Sequence, residues 1–192
     1  KRVLILGTAR QGLALARWLS IHGARVTLSD MRGEDELRFA RQSLSEFGIT
    51  WALGGHPLEL LDSTDVLCLS GGIPRSLPIV AGAVSRSIPL SNDSQIFMEV
   101  VPCRTIGITG SAGKTTTTTL VGNMAKLACG DKAYVGGNIG DPLINYVDGM
   151  QVDDVAILEL SSFQLEQMTI SPNVAAILNI TPNHLDRHGT ME

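Results

Sequence analysis

The chain has 192 residues, enough for one large or two small domains with a buried core, and it is 44% apolar and 18% charged. Its net charge of −4 argues against a nucleic-acid partner, since contact with a phosphate backbone needs a basic surface. No apolar run approaches a membrane span and the N-terminus lacks the basic-then-apolar layout of a signal peptide, so the expectation is no membrane and a cytoplasmic location.

Residues 3–6 read as a strand and 12–22 as an amphipathic helix stopped by Gly23. A strand at 25–29, a helix at 34–47 and strands at 49–53, 65–69 and 88–91 follow. A helix at 94–100 closes this unit, and Pro102-Cys103-Arg104 marks a linker, because proline cannot continue the helix. The pattern restarts with a strand at 105–108, a helix at 117–128 and strands at 132–135, 155–160 and 174–179. Strands alternating with helices predict two parallel-sheet α/β units, 1–101 and 102–192, joined by right-handed crossovers. Cys68, Cys103 and Cys129 each sit in or beside an apolar segment and read as small core residues under reducing conditions.

The most informative run is Thr109-Gly110-Ser111-Ala112-Gly113-Lys114-Thr115-Thr116, between a strand and a helix. Glycines there let backbone N–H groups converge on an anion, and the helix N-terminus adds favourable partial charge. Lys114 is expected to reach terminal phosphates, and the Thr115 hydroxyl to help hold Mg²⁺. The spacing is shorter than the general phosphate-loop pattern, with Ile108 where that pattern has its first glycine. A glycine-rich turn that merely carries a lysine is the alternative.

A second glycine turn, Gly7-Thr8-Ala9-Arg10-Gln11-Gly12, follows the first strand, and Asp30 ends the second at a distance suited to a ribose or a base. Ala9 stands where a dinucleotide fold has its middle glycine. An NAD(P)-dependent Rossmann oxidoreductase, an ordinary βα turn and a non-catalytic nucleotide-binding module therefore remain as alternatives. The loop Ser70-Gly71-Gly72-Ile73-Pro74 is expected beside this turn, at the C-terminal ends of the strands.

Glu159 lies near the end of an apolar strand, where a buried carboxylate needs a cation or hydrogen-bond donors; Mg²⁺ or a basic side chain would serve. His184 and His188 are expected on one face of a helix, with Asp186 pointing elsewhere. No third soft ligand completes a zinc spacing, and His188 reads as a capping or surface group.

Together these segments resemble the Mur ligases of peptidoglycan synthesis. The stretches that carry the resemblance are Thr109–Thr116, Val135-Gly-Gly-Asn-Ile-Gly140, Leu158-Glu-Leu-Ser-Ser-Phe-Gln-Leu-Glu166 and Asn179–Glu192, in family order. The resemblance implies a Rossmann-like domain over 1–101 that binds the UDP substrate. It also implies a P-loop ATPase-type domain over 102–192 that is incomplete, with a C-terminal domain for D-glutamate absent. It implies ATP and Mg²⁺ as cofactors and the joining of D-glutamate to UDP-N-acetylmuramoyl-L-alanine through an acyl phosphate, by a monomer. Gly110, Ser111, Ala112, Gly113, Lys114, Thr115 and Thr116 would take the ATP phosphates. Lys114, Glu159 and His184 would be catalytic, with Thr115, Glu159 and His184 at metal. Asn138, Ser161, Gln164 and His184 would face the muramoyl-alanine, and Arg10, Gln11, Asp30, Met31, Ser70, Gly71 and Gly72 the uridine diphosphate.

Ala112 stands where the family usually has Asn, Gln11 and Met31 replace small hydroxyl residues, and Gly71 replaces a proline. The family's carbamylated lysine would lie beyond Glu192, so the chain is expected to be part of a longer polypeptide and inactive in ligation alone. The charge logic fits: two negative charges about 4 Å apart repel by ~4 kcal/mol at an effective dielectric near 20. That is roughly three powers of ten in rate, which Lys114 and divalent cations would offset.

Overall fold

The computed structural model describes residues 1–190, apart from the side chains of 186 and 187. The expected orientation of Asp186 and the last two residues of the quoted motif thus lie outside the described residues. The chain forms two compact units, Lys1–Asp93 and Ser94–Glu192.

The first unit runs β1 (Arg2–Leu6), α1 (Arg10–Ile21), β2 (Arg25–Asp30), α2 (Glu34–Ser43), β3 (Thr50–Leu53), β4 (Val66–Leu69), α3 (Pro78–Ser85) and β5 (Leu90–Ser91). Its sheet has the order β3-β2-β1-β4-β5, with every pairing parallel. β1 and β4 are continuous apolar runs because both faces of a parallel strand are covered. Leu4, Leu6, Leu67 and Leu69 meet Leu61 and Ile79 in one core. Strand order reverses between β1 and β4, so the loops leaving their C-terminal ends flank the crevice where open α/β sheets bind ligands.

Three elements here differ from the sequence expectation. The helix expected over 34–47 ends at Ser43, and a 3₁₀ turn covers Ser45–Phe47. Serine back-bonding accounts for the break: the Ser43 hydroxyl donates to the Ala40 carbonyl and the Ser45 hydroxyl to that of Gln42. The 3₁₀ segment Leu58–Ser63 and α3 were not anticipated; α3 has only 8 residues and starts on Pro78, whose fixed φ suits a first helical position.

The second unit contains α4 (Asp93–Val100, its first residue in the first unit), β6 (Arg104–Thr109), α5 (Lys114–Cys129), β7 (Ala133–Gly137), β8 (Val155–Glu159), α6 (Ser162–Leu165), β9 (Val174–Ile177) and α7 (Leu185–His188). Its parallel sheet has the order β7-β8-β6-β9. The units meet at 93/94, ahead of the 101/102 boundary drawn from the linker proline. Polar side chains explain the shift: the Gln164 amide donates to the Ser94 hydroxyl, and Gln95 exchanges hydrogen bonds with Thr169. α5 begins at Lys114, earlier than expected, so the glycine loop runs straight into it. Cys68 and Cys103 are buried as expected, whereas Cys129, at the end of α5, is exposed.

Candidate nucleotide and substrate sites

In the second unit the C-terminal ends of β6, β7, β8 and β9 carry the polar residues. Gly137 makes this convergence possible. It has φ of 101°, and a Cβ on it would fall 2.5 Å from the Glu159 carbonyl oxygen, so only glycine lets β7 approach β8 so closely. The next peptide N–H, that of Asn138, donates to the same carbonyl at 2.9 Å.

Glu159 is only 2% exposed. Its Oε2 accepts from the Thr115 hydroxyl at 2.8 Å and its Oε1 from the Asn138 amide at 2.9 Å. Both partners are neutral, and among the described residues no basic side chain pairs with it. The alternative of a carboxylate neutralised by Lys or Arg is therefore not realised. A buried carboxylate beside a hydroxyl is a hard oxygen donor set, and it fits a divalent cation such as Mg²⁺.

Lys114 opens α5 directly after Gly113, and its ammonium donates to the Gly110 carbonyl at 2.7 Å and more weakly to that of Ser111 at 3.4 Å. The rest of the loop departs from the expected cradle. The Ser111 N–H donates to the Asn179 carbonyl and the Ala112 N–H to Asn179 Oδ1, at 3.0 and 2.9 Å. Two of the amides expected to meet phosphate are thus committed to the segment after β9.

A cleft of about 460 Å³ lies within this unit, lined by Lys114, Asn138, Ser161, Phe163, Asn179 and His184 among others. His184 is not on a helix face with His188. It precedes α7 in a left-handed conformation, φ 53°, and the two rings flank Phe163 at 5.0 and 5.5 Å. Nor is His188 a mere capping group: its Nε2 lies 2.9 Å from the Ser162 hydroxyl and its Nδ1 3.2 Å from Glu166. Ser161 caps α6 in a reciprocal box with Gln164, and Gln164 itself is buried, its amide turned to Ser94.

In the first unit Gly12 permits the tight entry to α1, since a Cβ there would lie 2.1 Å from the Gly7 carbonyl oxygen. Gln11 is buried in α1, whereas Arg10 and Met31 are exposed. The Ser70 N–H donates to the Leu6 carbonyl, which seats the Ser70-Gly71-Gly72 loop beside the glycine turn. The Ser70 hydroxyl oxygen is buried and has no hydrogen-bond partner among the described residues. Asp30 is less free than its position suggested. Its carboxylate accepts from the Thr8 N–H and hydroxyl at 2.8 and 2.6 Å, and from the Arg32 N–H and guanidinium at 2.9–3.0 Å. Burial alone would raise this carboxyl, but the Arg32 guanidinium and Thr8 outweigh it and hold it well below the ordinary carboxylate range.

Sequence reasoning missed Arg32, Asn179, Ser162 and the engagement of His188. The signals were modest: Arg32 is two residues past a strand-end carboxylate, and Asn179 lies just past the last strand.

Lys114 and the Thr115 hydroxyl, beside the buried Glu159 carboxylate, thus lie in a P-loop-like parallel α/β unit that follows a separate Rossmann-like one. Residues 108–192 match the Mur ligase middle domain. It is similar along its whole length to curated relatives named UDP-N-acetylmuramoylalanine--D-glutamate ligase. It is 43% identical over 193 residues to that of Koribacter versatilis and 43% over 192 residues to that of Pelotomaculum thermopropionicum. The alignment covers 100% of this chain but 42% of each relative, so the chain spans about two fifths of their length. Among solved structures, a ligase from Neisseria meningitides titled UDP-N-acetylmuramate:L-alanyl-gamma-D-glutamyl-meso-diaminopimelate ligase shares the fold. It gives a TM-score of 0.57 at 18% identity, covering 97% of this chain and 63% of that one. The UDP-N-acetylmuramate-alanine ligase of Thermotoga maritima does so at 0.53 and 20%, over 98% and 43%.

Proposed function

We propose that this chain is the UDP-substrate-binding unit and part of the ATP-binding unit of an ATP-dependent ligase that adds D-glutamate to UDP-N-acetylmuramoyl-L-alanine in the cytoplasm. The observation that carries the reading is the buried Glu159 carboxylate, which accepts from the neutral Thr115 hydroxyl and Asn138 amide, at the C-terminal end of β8 beside the Lys114 turn.

ATP would supply the phosphoryl group that turns a substrate carboxylate into an acyl phosphate, with ADP leaving, and the amine of D-glutamate would then displace phosphate from it; Glu159 and Thr115 would hold the Mg²⁺ of ATP. Lys114, by leaving the Gly110 carbonyl, would bring its ammonium to the terminal phosphates and offset their repulsion of an incoming carboxylate. Asn138 orients Glu159 by its 2.9 Å hydrogen bond, and Ser161 and His184 present polar groups to the same cleft for the muramoyl-alanine. In the first unit the Ser70 hydroxyl and the glycine turn would take the diphosphate, with Asp30 shaping that turn through Thr8 instead of touching uridine directly.

Calorimetric titration of the 192-residue chain tests this. ATP should bind with Mg²⁺ and far more weakly without it, and Glu159→Gln should remove the Mg²⁺ dependence. UDP-N-acetylmuramoyl-L-alanine should bind independently of ATP and resist displacement by NADH. Binding of NADH that the UDP substrate does not displace, or ATP binding equal with and without Mg²⁺, overturns the reading. D-glutamate-dependent phosphate release is expected from a polypeptide of the relatives' length and not from these 192 residues.

A further inference from the structure

The phosphate loop is built into the strand-end segment that leads to His184. The Asn179 side chain pairs with both backbone groups of Ala112: its Oδ1 accepts from the Ala112 N–H at 2.9 Å, and its Nδ2 donates to the Ala112 carbonyl at 2.9 Å. Its own carbonyl accepts from the Ser111 N–H at 3.0 Å. Two residues on, the Ser111 hydroxyl donates to the Thr181 carbonyl at 3.0 Å, and the Thr181 N–H lies 2.9 Å from the same hydroxyl. A Cβ on Gly110 would stand 3.2 Å from both the N and the O of Asn179, so the two backbones are in contact. Five hydrogen bonds thus join residues 111–112 to 179–181.

We propose that Asn179 is a positioning residue that presets the phosphate loop and makes nucleotide binding and the order of the 179–184 segment depend on each other. The inference rests on the reading that ATP phosphates occupy this loop. Three of the five bonds use Asn179, and the side chain alone supplies two, in the paired geometry that a primary amide offers a peptide. With the 111 and 112 N–H groups turned to Asn179, the phosphates fall to Lys114 and to the N–H groups of the first turn of α5, which have no intrahelical partner. The peptide at 112 must be held for that turn to be presented, and no charge or side chain on Ala112 does so. The coupling is reciprocal by linkage: if phosphate favours the clasped loop, the clasp favours phosphate. His184, three residues beyond Thr181 and facing the same cleft, is on the segment so ordered.

The experiment uses the 192-residue chain with Asn179→Ala and Asn179→Asp, the second retaining an acceptor for the Ala112 N–H but losing the donor to its carbonyl. Affinity for Mg²⁺-ATP, affinity for AMP and amide hydrogen exchange over 108–116 and 177–185 are measured for each. Both variants should weaken ATP at least tenfold while changing AMP less than twofold. Exchange at 110–113 should accelerate at least tenfold. ATP should slow exchange over 179–184 in the parent and not in Asn179→Ala. A structural role alone would shift ATP and AMP together, or leave the ATP-induced protection of 179–184 in the variant, and either result overturns the proposal. So does ATP affinity within twofold of the parent in both variants. If the parent binds no ATP, the underlying functional reading fails and this inference fails with it.

Discussion

Asp30 illustrates how a residue well chosen from sequence acquires a different job in three dimensions. It ends β2 at the mouth of the crevice, where a carboxylate could meet a ribose. Arg32 and Thr8 saturate it instead, and the product is a rigid glycine turn. Replacing it by Asn keeps the shape and one acceptor but removes the charge, leaving a guanidinium that is 47% exposed without its counter-ion. With that exposure discounted, Asp30→Asn should cost about 2 kcal/mol, read from urea denaturation at neutral pH. The pH dependence has a definite sign. The folded-state carboxyl titrates below the unfolded one, so its stabilisation is full above roughly pH 4 and fades as pH falls towards the depressed folded value. The parent should therefore lose stability below roughly pH 4 more steeply than Asp30→Asn. Parallel acid profiles for the two would show that the charge contributes nothing.

The elements legible in sequence were those whose own pattern determines them. β6 and the body of α5 read correctly because an apolar run and a long helix after a Gly-Lys turn need no distant partner to be recognised, although α5 starts at Lys114, three residues earlier than expected. α3 and α6 did not, since a helix of four to eight residues is held mainly by what it packs against; α7 was expected around His184 and His188, but His184 stands outside it. α6 had left a trace in the Ser161-x-x-Gln164 capping box, whereas nothing local to 177–184 announced that Asn179 would bind a loop some seventy residues away. The same logic explains a feature of α5 that periodicity alone cannot settle. Leu120, Met124 and Leu127 recur at helical spacing, yet they are exposed, Leu127 to 91%. α5 buries its other side, where Val121 and Ala125 pack onto the core of Ile108 and Ile157. Met124→Lys with Leu127→Lys should then leave stability within about 0.5 kcal/mol and raise solubility, by denaturant titration and light scattering. A loss above about 2 kcal/mol would mean that these side chains are covered in solution.

Two parallel sheets with separate cores account for the behaviour expected of the molecule as a whole. Leu67, fully buried in β4, belongs to the core of the first unit, and Ile157, fully buried in β8, to that of the second. Each unit has about 95 residues, a size at which a single domain folds cooperatively on its own core. Truncating either side chain leaves a cavity whose cost falls on the unit that contains it, about 2–5 kcal/mol for Leu or Ile to Ala. Calorimetry should resolve two unfolding events. Leu67→Ala should lower one midpoint and leave the other unchanged, and Ile157→Ala should do the reverse. ATP with Mg²⁺ should raise only the event that Ile157→Ala lowers, because ligand stabilisation accrues to the unit that binds. UDP, which lacks the muramoyl-alanine that the second unit's cleft would take, should raise only the other. If a single transition responds to both substitutions and both ligands, the chain folds as one cooperative body, and the assignment of ATP and the uridine diphosphate group to separate units loses its thermodynamic basis.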